Sequence, residues 1–170
     1  LSQDNLARNQ EGTFLGVSDL LRWLRACALY AYCCCIQKKY TRAGNALLMA
    51  EKDVENSIEN WNEKAAEEAE KAKEAEEFSE QWYMNNLQRY KMITEELNKQ
   101  REPMFRFFEE QLVLLEKNLP EHHPILSMQR ELMIWFCDDD KKAKKLERQN
   151  KKEKLFALFH NWDSWWEPDT

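Results

Sequence analysis

Apolar side chains recur along most of this chain at steps of three and four residues, the spacing of helices that each bury one face. A first run opens at Ser18 and Asp19, a capping hydroxyl followed by an early acid. It continues through Leu20, Leu21, Trp23 and Leu24 and closes near 42 on Lys38, Lys39 and Arg42. Gly44 marks the expected break after it. Between about 46 and 101, Val54, Ile58, Trp61, Ala65, Ala69, Ala72, Ala75, Phe78, Trp82, Leu87, Tyr90, Ile93 and Leu97 follow one another at helical spacing. The segment EKAAEEAEKAKEAEE adds strong helix formers, with Glu and Lys placed to pair along one face. One straight helix of that length would span roughly 85 Å. Two shorter helices with an unmarked break would satisfy the same spacing.

Pro103 suits a helix's first turn but not its interior, so a new helix is expected there. It carries Phe105, Phe108, Leu112, Leu115 and Leu119 and ends in LPEHHP. A helix from about 124 to 136 follows. Asp138, Asp139 and Asp140 then head a last, lysine-rich helix that runs into LFALFHNWDSWW. The chain thus divides into an irregular arm (1–17), an apolar helix (18–42), a long charged helix (46–101) and a C-terminal helical region (103–170). The expected fold is all-α and elongated, with the shorter helices packed in hairpin fashion around the long one. No self-similar repeat is present.

Composition sharpens this picture. Only three glycines occur, and none follows Gly44. Sheets and phosphate-cradling loops need glycine where the chain turns tightly, so α/β nucleotide-binding folds are excluded. A third of the residues are charged, yet aromatics reach 12 % with seven tryptophans, too many for a disordered polyampholyte. Charge is segregated. Residues 51–80 hold twelve acids against four lysines, and 141–154 hold eight basic residues against two acids. With a net charge of −6, that basic run alone gives no reason to expect a nucleic-acid partner.

The chemistry a helical chain could carry is sparse. Cys33, Cys34 and Cys35 lie about 100° apart on a helix, so they cannot converge on one ion. Cys27 and Cys137 do not complete a paired CxxC spacing, and no metal site is expected. An odd count of five cysteines also fits a reducing compartment better than a disulfide framework. The uninterrupted apolar run, 26–36, is short for a membrane span, and Arg22 and Arg25 precede it. Lying in a membrane interface suits the segment better, with Trp23, Tyr30 and Tyr32 beside Cys33, Cys34 and Cys35 at the contact face. Burial against protein suits it as well. Cysteines beside a basic cluster are also candidate lipid acceptors. His122 and His123 read as solvated loop histidines and His160 as packing. No Walker, dinucleotide-binding or nucleophile-elbow motif occurs. Neither catalysis nor a cofactor is expected.

These residues point to a non-catalytic structural or accessory subunit of a large assembly, membrane-associated and mitochondrial. Respiratory and ATP synthase complexes are the favoured hosts. The chain begins at Leu1, which fits removal of an import presequence and equally a trimmed start. Contacts are expected at 20–40, with protein or membrane, and at a C-terminal docking cluster of Phe156, Phe159, Trp162, Trp165 and Trp166. In layout, residues 18–101 are similar to peripheral-stalk subunits of rotary ATP synthases, which also follow an N-terminal membrane segment with a long charged helix. The likeness is one of arrangement and no motif carries it. The alternatives are a soluble coiled-coil scaffold or a cytoskeletal or adaptor protein in the cytoplasm and, more distantly, a lipid-anchored peripheral membrane protein.

Overall fold

The computed structural model describes Phe14 and residues 16–160. Among them are five helices: α1 (Val17–Ile36), α2 (Tyr40–Glu74), α3 (Glu77–Asn118), α4 (Pro124–Ile134) and α5 (Asp140–Phe159). The fold is all-α, as the periodicity predicts. The arm at 1–13 and Trp162, Trp165 and Trp166 lie outside the described residues.

Three boundaries differ from the sequence reading, each for a local reason. First, α1 ends at Ile36, and Gly44 sits buried inside α2. Lys38 adopts φ 62°, its N–H donates to the Cys35 carbonyl (3.0 Å), and the Lys39 N–H donates to the Cys34 carbonyl (2.8 Å). These are the two crossed bonds of a Schellman cap. Lysine holds the left-handed position that glycine usually takes, so the sequence carries no marker for it.

Second, 46–101 is not one helix. The chain leaves α2 after Glu74 and re-enters a helix at Glu77. The Glu76 carbonyl accepts from the third and fourth amides of α3, those of Ser79 (2.9 Å) and Glu80 (3.0 Å). Lys71 and Lys73 close α2, while Glu77 and Glu80 open α3, the arrangement that favours both helix dipoles.

Third, Pro103 lies within α3 instead of starting a helix. An interior proline costs about 3 kcal/mol. Leu97 on one side and Met104 and Phe108 on the other are all buried, so the helix is anchored on both sides of it.

The chain forms two compact units. One comprises Asp53–Gln100 with the described part of 2–20. Val54, Ser57, Trp61, Ala72 and Leu97 make its narrow interior. Asn86 reaches Glu68 (3.5 Å) across the break at 75–76, so α3 folds back along α2 here. Phe14 is buried, and both of its backbone polar groups are satisfied by side chains of α2. Its N–H donates to Ser57 Oγ (3.1 Å) and its carbonyl accepts from Trp61 Nε1 (2.9 Å).

The other unit comprises Leu21–Lys52 with the described part of 101–170. Leu24, Leu47, Met104, Phe108, Ile125, Leu132 and Phe136 are buried in it, and α4 is buried along most of its length. Burying a helix that short requires its ends to be satisfied. His123 does this at the start, its Nδ1 accepting from the Ile125 N–H (3.1 Å), with Pro124 in the first turn. Arg101 does it at the end by donating to the Trp135 carbonyl (2.6 Å). Gln129 ties α4 to α3 through the Phe108 carbonyl (3.1 Å).

The last helix, α5, buries only Asn150 and Glu153. Asn150 Nδ2 donates to the Ser127 carbonyl (3.2 Å) and to Glu131 Oε1 (3.0 Å), so polar contacts hold α5 to α4. Its first turn depends on Asp139, whose Oδ1 accepts from the amides of Lys141 (2.9 Å) and Lys142 (3.4 Å). Asp139→Ala is expected to cost about 1 kcal/mol. With so little apolar anchorage, that loss should appear as faster amide exchange over 141–148. Unchanged protection there would show that the cap does not hold the helix.

Candidate functional site

The residues singled out on α1 separate into an inner and an outer set. Trp23 is 3 % exposed, and Cys34 and Cys35 are buried, so these three side chains belong to the interior of their unit. Tyr32 is half-buried; Tyr30 and Cys33 are exposed. The three adjacent cysteines do point apart, as helix geometry requires. Burial pushes the Cys35 thiol up to about 12, with Cys34 adding to the effect. Around Cys33 the outer face of α1 is apolar: Leu29 is 47 % and Ile36 50 % exposed, and Leu29, Cys33 and Ile36 are spaced four and three residues apart. Leu48 and Met49 on α2 are also uncovered. Trp23, Cys27 and Tyr30 from α1 and Arg42, Asn45 and Met49 from α2 line a cavity of about 460 Å³. Among the described residues, no helix is long and apolar enough to cross a membrane.

The C-terminal cluster lies beside the 119–123 turn, whose histidines are not solvated loop residues. Pro120 to His123 form a turn closed by the His123 N–H on the Pro120 carbonyl (3.2 Å). His122 stands at φ 68°, the backbone that a type II turn requires at its third residue. That places His122 Nδ1 2.8 Å from Glu153 Oε2. Its ring stacks on Phe156 (4.0 Å), and Phe156 stacks on His160 (3.8 Å). His123 points inward instead, 4.8 Å from the Tyr40 ring. Glu153 is a buried carboxylate in contact with an imidazole, and Arg130, also buried, lies near it. Burial pulls the Arg130 guanidinium below its ordinary value, while the charges of Glu153 and then Glu116 oppose that shift.

His122, Glu153 and Phe156 form one wall of a cleft of about 690 Å³, with Lys145, Arg148 and Lys152 around it. The residues lining that cleft include no hydroxyl or thiol nucleophile. The imidazole–carboxylate pair there positions the turn against α5. Among the described residues no group of three His, Cys, Asp or Glu side chains could hold a metal ion. Of the predicted docking residues, Phe156 is half-buried by its two histidine neighbours. Phe159 is exposed, as are Leu155 and Leu158 on the same helix.

A third surface is a stripe on α3, two of whose residues, Phe78 and Trp82, the sequence reading placed in one long seam. Phe78 is 97 %, Trp82 61 % and Met92 59 % exposed. The sequence signal was present, because Tyr83, Tyr90 and Leu97 recur at steps of seven and Trp82 stands one helical position off that stripe. Comparison with protein-family models, with curated proteins and with solved structures finds no match to this chain.

Proposed function

We propose that this chain is a non-catalytic accessory subunit that docks on other subunits of a larger assembly through the outer face of α1. The observation that carries the reading is the exposed apolar row Leu29, Cys33 and Ile36 on α1, and Leu48 and Met49 are exposed on α2 as well. Apolar side chains left exposed along one helix face are the start of such an interaction site. The favoured host is a mitochondrial membrane complex, a choice that rests on the sequence layout, an apolar helix ahead of a long charged stretch. Contact with a membrane at 20–40 would then involve the outer side chains Leu29, Tyr30, Cys33 and Ile36.

Mild-detergent extraction of the native protein, blue-native electrophoresis and mass spectrometry of the comigrating band test this reading. The expected result is a large band containing respiratory or ATP synthase subunits, shifted to lower mass by Ile36→Asp. A small band recovered without detergent would overturn it, and a soluble coiled-coil scaffold would take its place.

A further inference from the structure

Within the unit that contains Asp53–Gln100, α3 carries two stripes side by side. Ser79, Tyr83, Asn86, Tyr90, Ile93 and Leu97 alternate steps of four and three, and every one is at least half-buried. Phe78, Trp82, Asn85, Arg89, Met92 and Glu96 repeat the same alternation one residue earlier, about 100° round the helix, and every one is exposed. Alternating fours and threes is the seam of a coiled coil. The first stripe is used inside the unit. The second is a complete seam, more than two heptads long, with its aromatic and methionine side chains in solvent.

The order of residues along that seam selects its occupant. We propose that it pairs with the same seam of a second copy of this chain, antiparallel, about a two-fold axis at the level of Leu87. In this register Trp82 lies against the partner's Met92 and, by symmetry, Met92 against the partner's Trp82. Each indole thus gains a thioether contact. Arg89 lies opposite the partner's Asn85, whose amide oxygen can accept from the guanidinium. Phe78 is covered by the methylenes of the partner's Glu96.

Charge supports the same orientation. The start of α3 is acidic, with Glu76 just ahead of it and Glu77 and Glu80 in its first turn, whereas 91–99 is balanced, Lys91 and Lys99 against Glu95 and Glu96. Antiparallel pairing brings Lys99 to the partner's Glu76 end, twice by symmetry. Parallel pairing in register would set Arg89 on Arg89 and Glu96 on Glu96 and join the two acidic ends. Like charges facing each other across a helix pair oppose that arrangement. An isologous interface of this kind closes on itself and leaves no open edge for further growth.

Sedimentation equilibrium of the purified full-length chain over a wide range of concentration tests the proposal. The expected result is a reversible monomer–dimer equilibrium. Trp82→Glu should weaken it about a hundredfold or more, because the substitution removes two central aromatic anchors per dimer. Trp82 is largely exposed in the single chain, so circular dichroism should stay at its wild-type value, as should the thermal midpoint at concentrations where both proteins are monomeric. Orientation is read from cysteine pairs in a Cys33→Ser, Cys137→Ser background. Gln88→Cys, which flanks the axis, should form a disulfide-linked dimer, and Asn85→Cys should not. A monomer at every concentration, a dimer indifferent to Trp82→Glu, or cross-linking through Asn85→Cys instead would each overturn the proposal. None of these outcomes touches the α1 surface, so the accessory-subunit reading stands or falls separately.

Discussion

At pH 8, Cys35 is expected to react with iodoacetamide about a thousandfold more slowly in the native protein than in the unfolded chain, because the thiolate is the reacting species. The thiol is pushed from 9.0 to about 12, first by burial and then by Cys34, and each unit removes about nine-tenths of the thiolate. Steric protection in the interior slows the reaction further. Cys33, one helical position away and exposed, should be alkylated first, and the buried Cys27 and Cys34 should be protected like Cys35. Peptide mapping after a short pulse of reagent gives the order. Equal labelling of Cys33 and Cys35 in the folded protein would show that α1 does not hold the orientation described. The same shift fixes the sign of the pH dependence. A thiol raised on folding contributes stability that is fully present below pH 9 and is lost as pH rises toward about 12.

Phe108→Ala should be the most damaging single substitution on α3, costing about 3–5 kcal/mol. Phe108 is fully buried, its ring lies 5.7 Å from that of Phe136 and 5.5 Å from that of Phe107, and its carbonyl receives Gln129. Truncation therefore leaves a cavity where α3 meets α4, through a hydrogen bond, and the segment just after α4, through the Phe136 ring. Total stabilities of natural domains are about 5–15 kcal/mol, so a loss of this size is a large fraction of what is available. Urea unfolding followed by circular dichroism measures it. Leu114→Ala, on the same helix but 36 % exposed, provides the comparison and should cost far less. Similar losses for the two variants would mean that this part of α3 is not packed as described.

Local chemistry was legible in the sequence where it rested on residues with strong preferences. Pro124 starts α4 and Asp139 caps α5 close to where the sequence places them. The misplaced boundaries share a cause: the stronger signal nearby was a propensity that tertiary contacts override. Gly44 is tolerated in a buried helix face, and Pro103 is tolerated between buried Leu97 and Met104. Lys38 ends α1 although lysine has no preference for a left-handed backbone. The break at 75–76 could have been found from charge alone, since Lys71 and Lys73 give way to Glu76, Glu77 and Glu80. Alanine and glutamate propensity masked it.

The surfaces were less legible than the fold. An apolar residue at helical spacing reads alike whether it faces the interior or solvent, so Trp23 and Tyr30 could not be told apart from the sequence. His122 was missed for a different reason. Its contact with Glu153 spans 31 residues and depends on a turn that one positive φ closes.

Phe14 bears on the order in which the parts of its unit come together. Its two hydrogen bonds reach 43 and 47 residues along the chain. Closing a loop of that length costs about 3 kcal/mol in chain entropy before any contact repays it. The link between Asn86 and Glu68 spans only 18 residues and lies within a helical turn-back. Short-range contacts form ahead of long-range ones, so the α2–α3 turn-back assembles first and Phe14 settles onto Ser57 and Trp61 afterwards. It is a latch set on a finished frame.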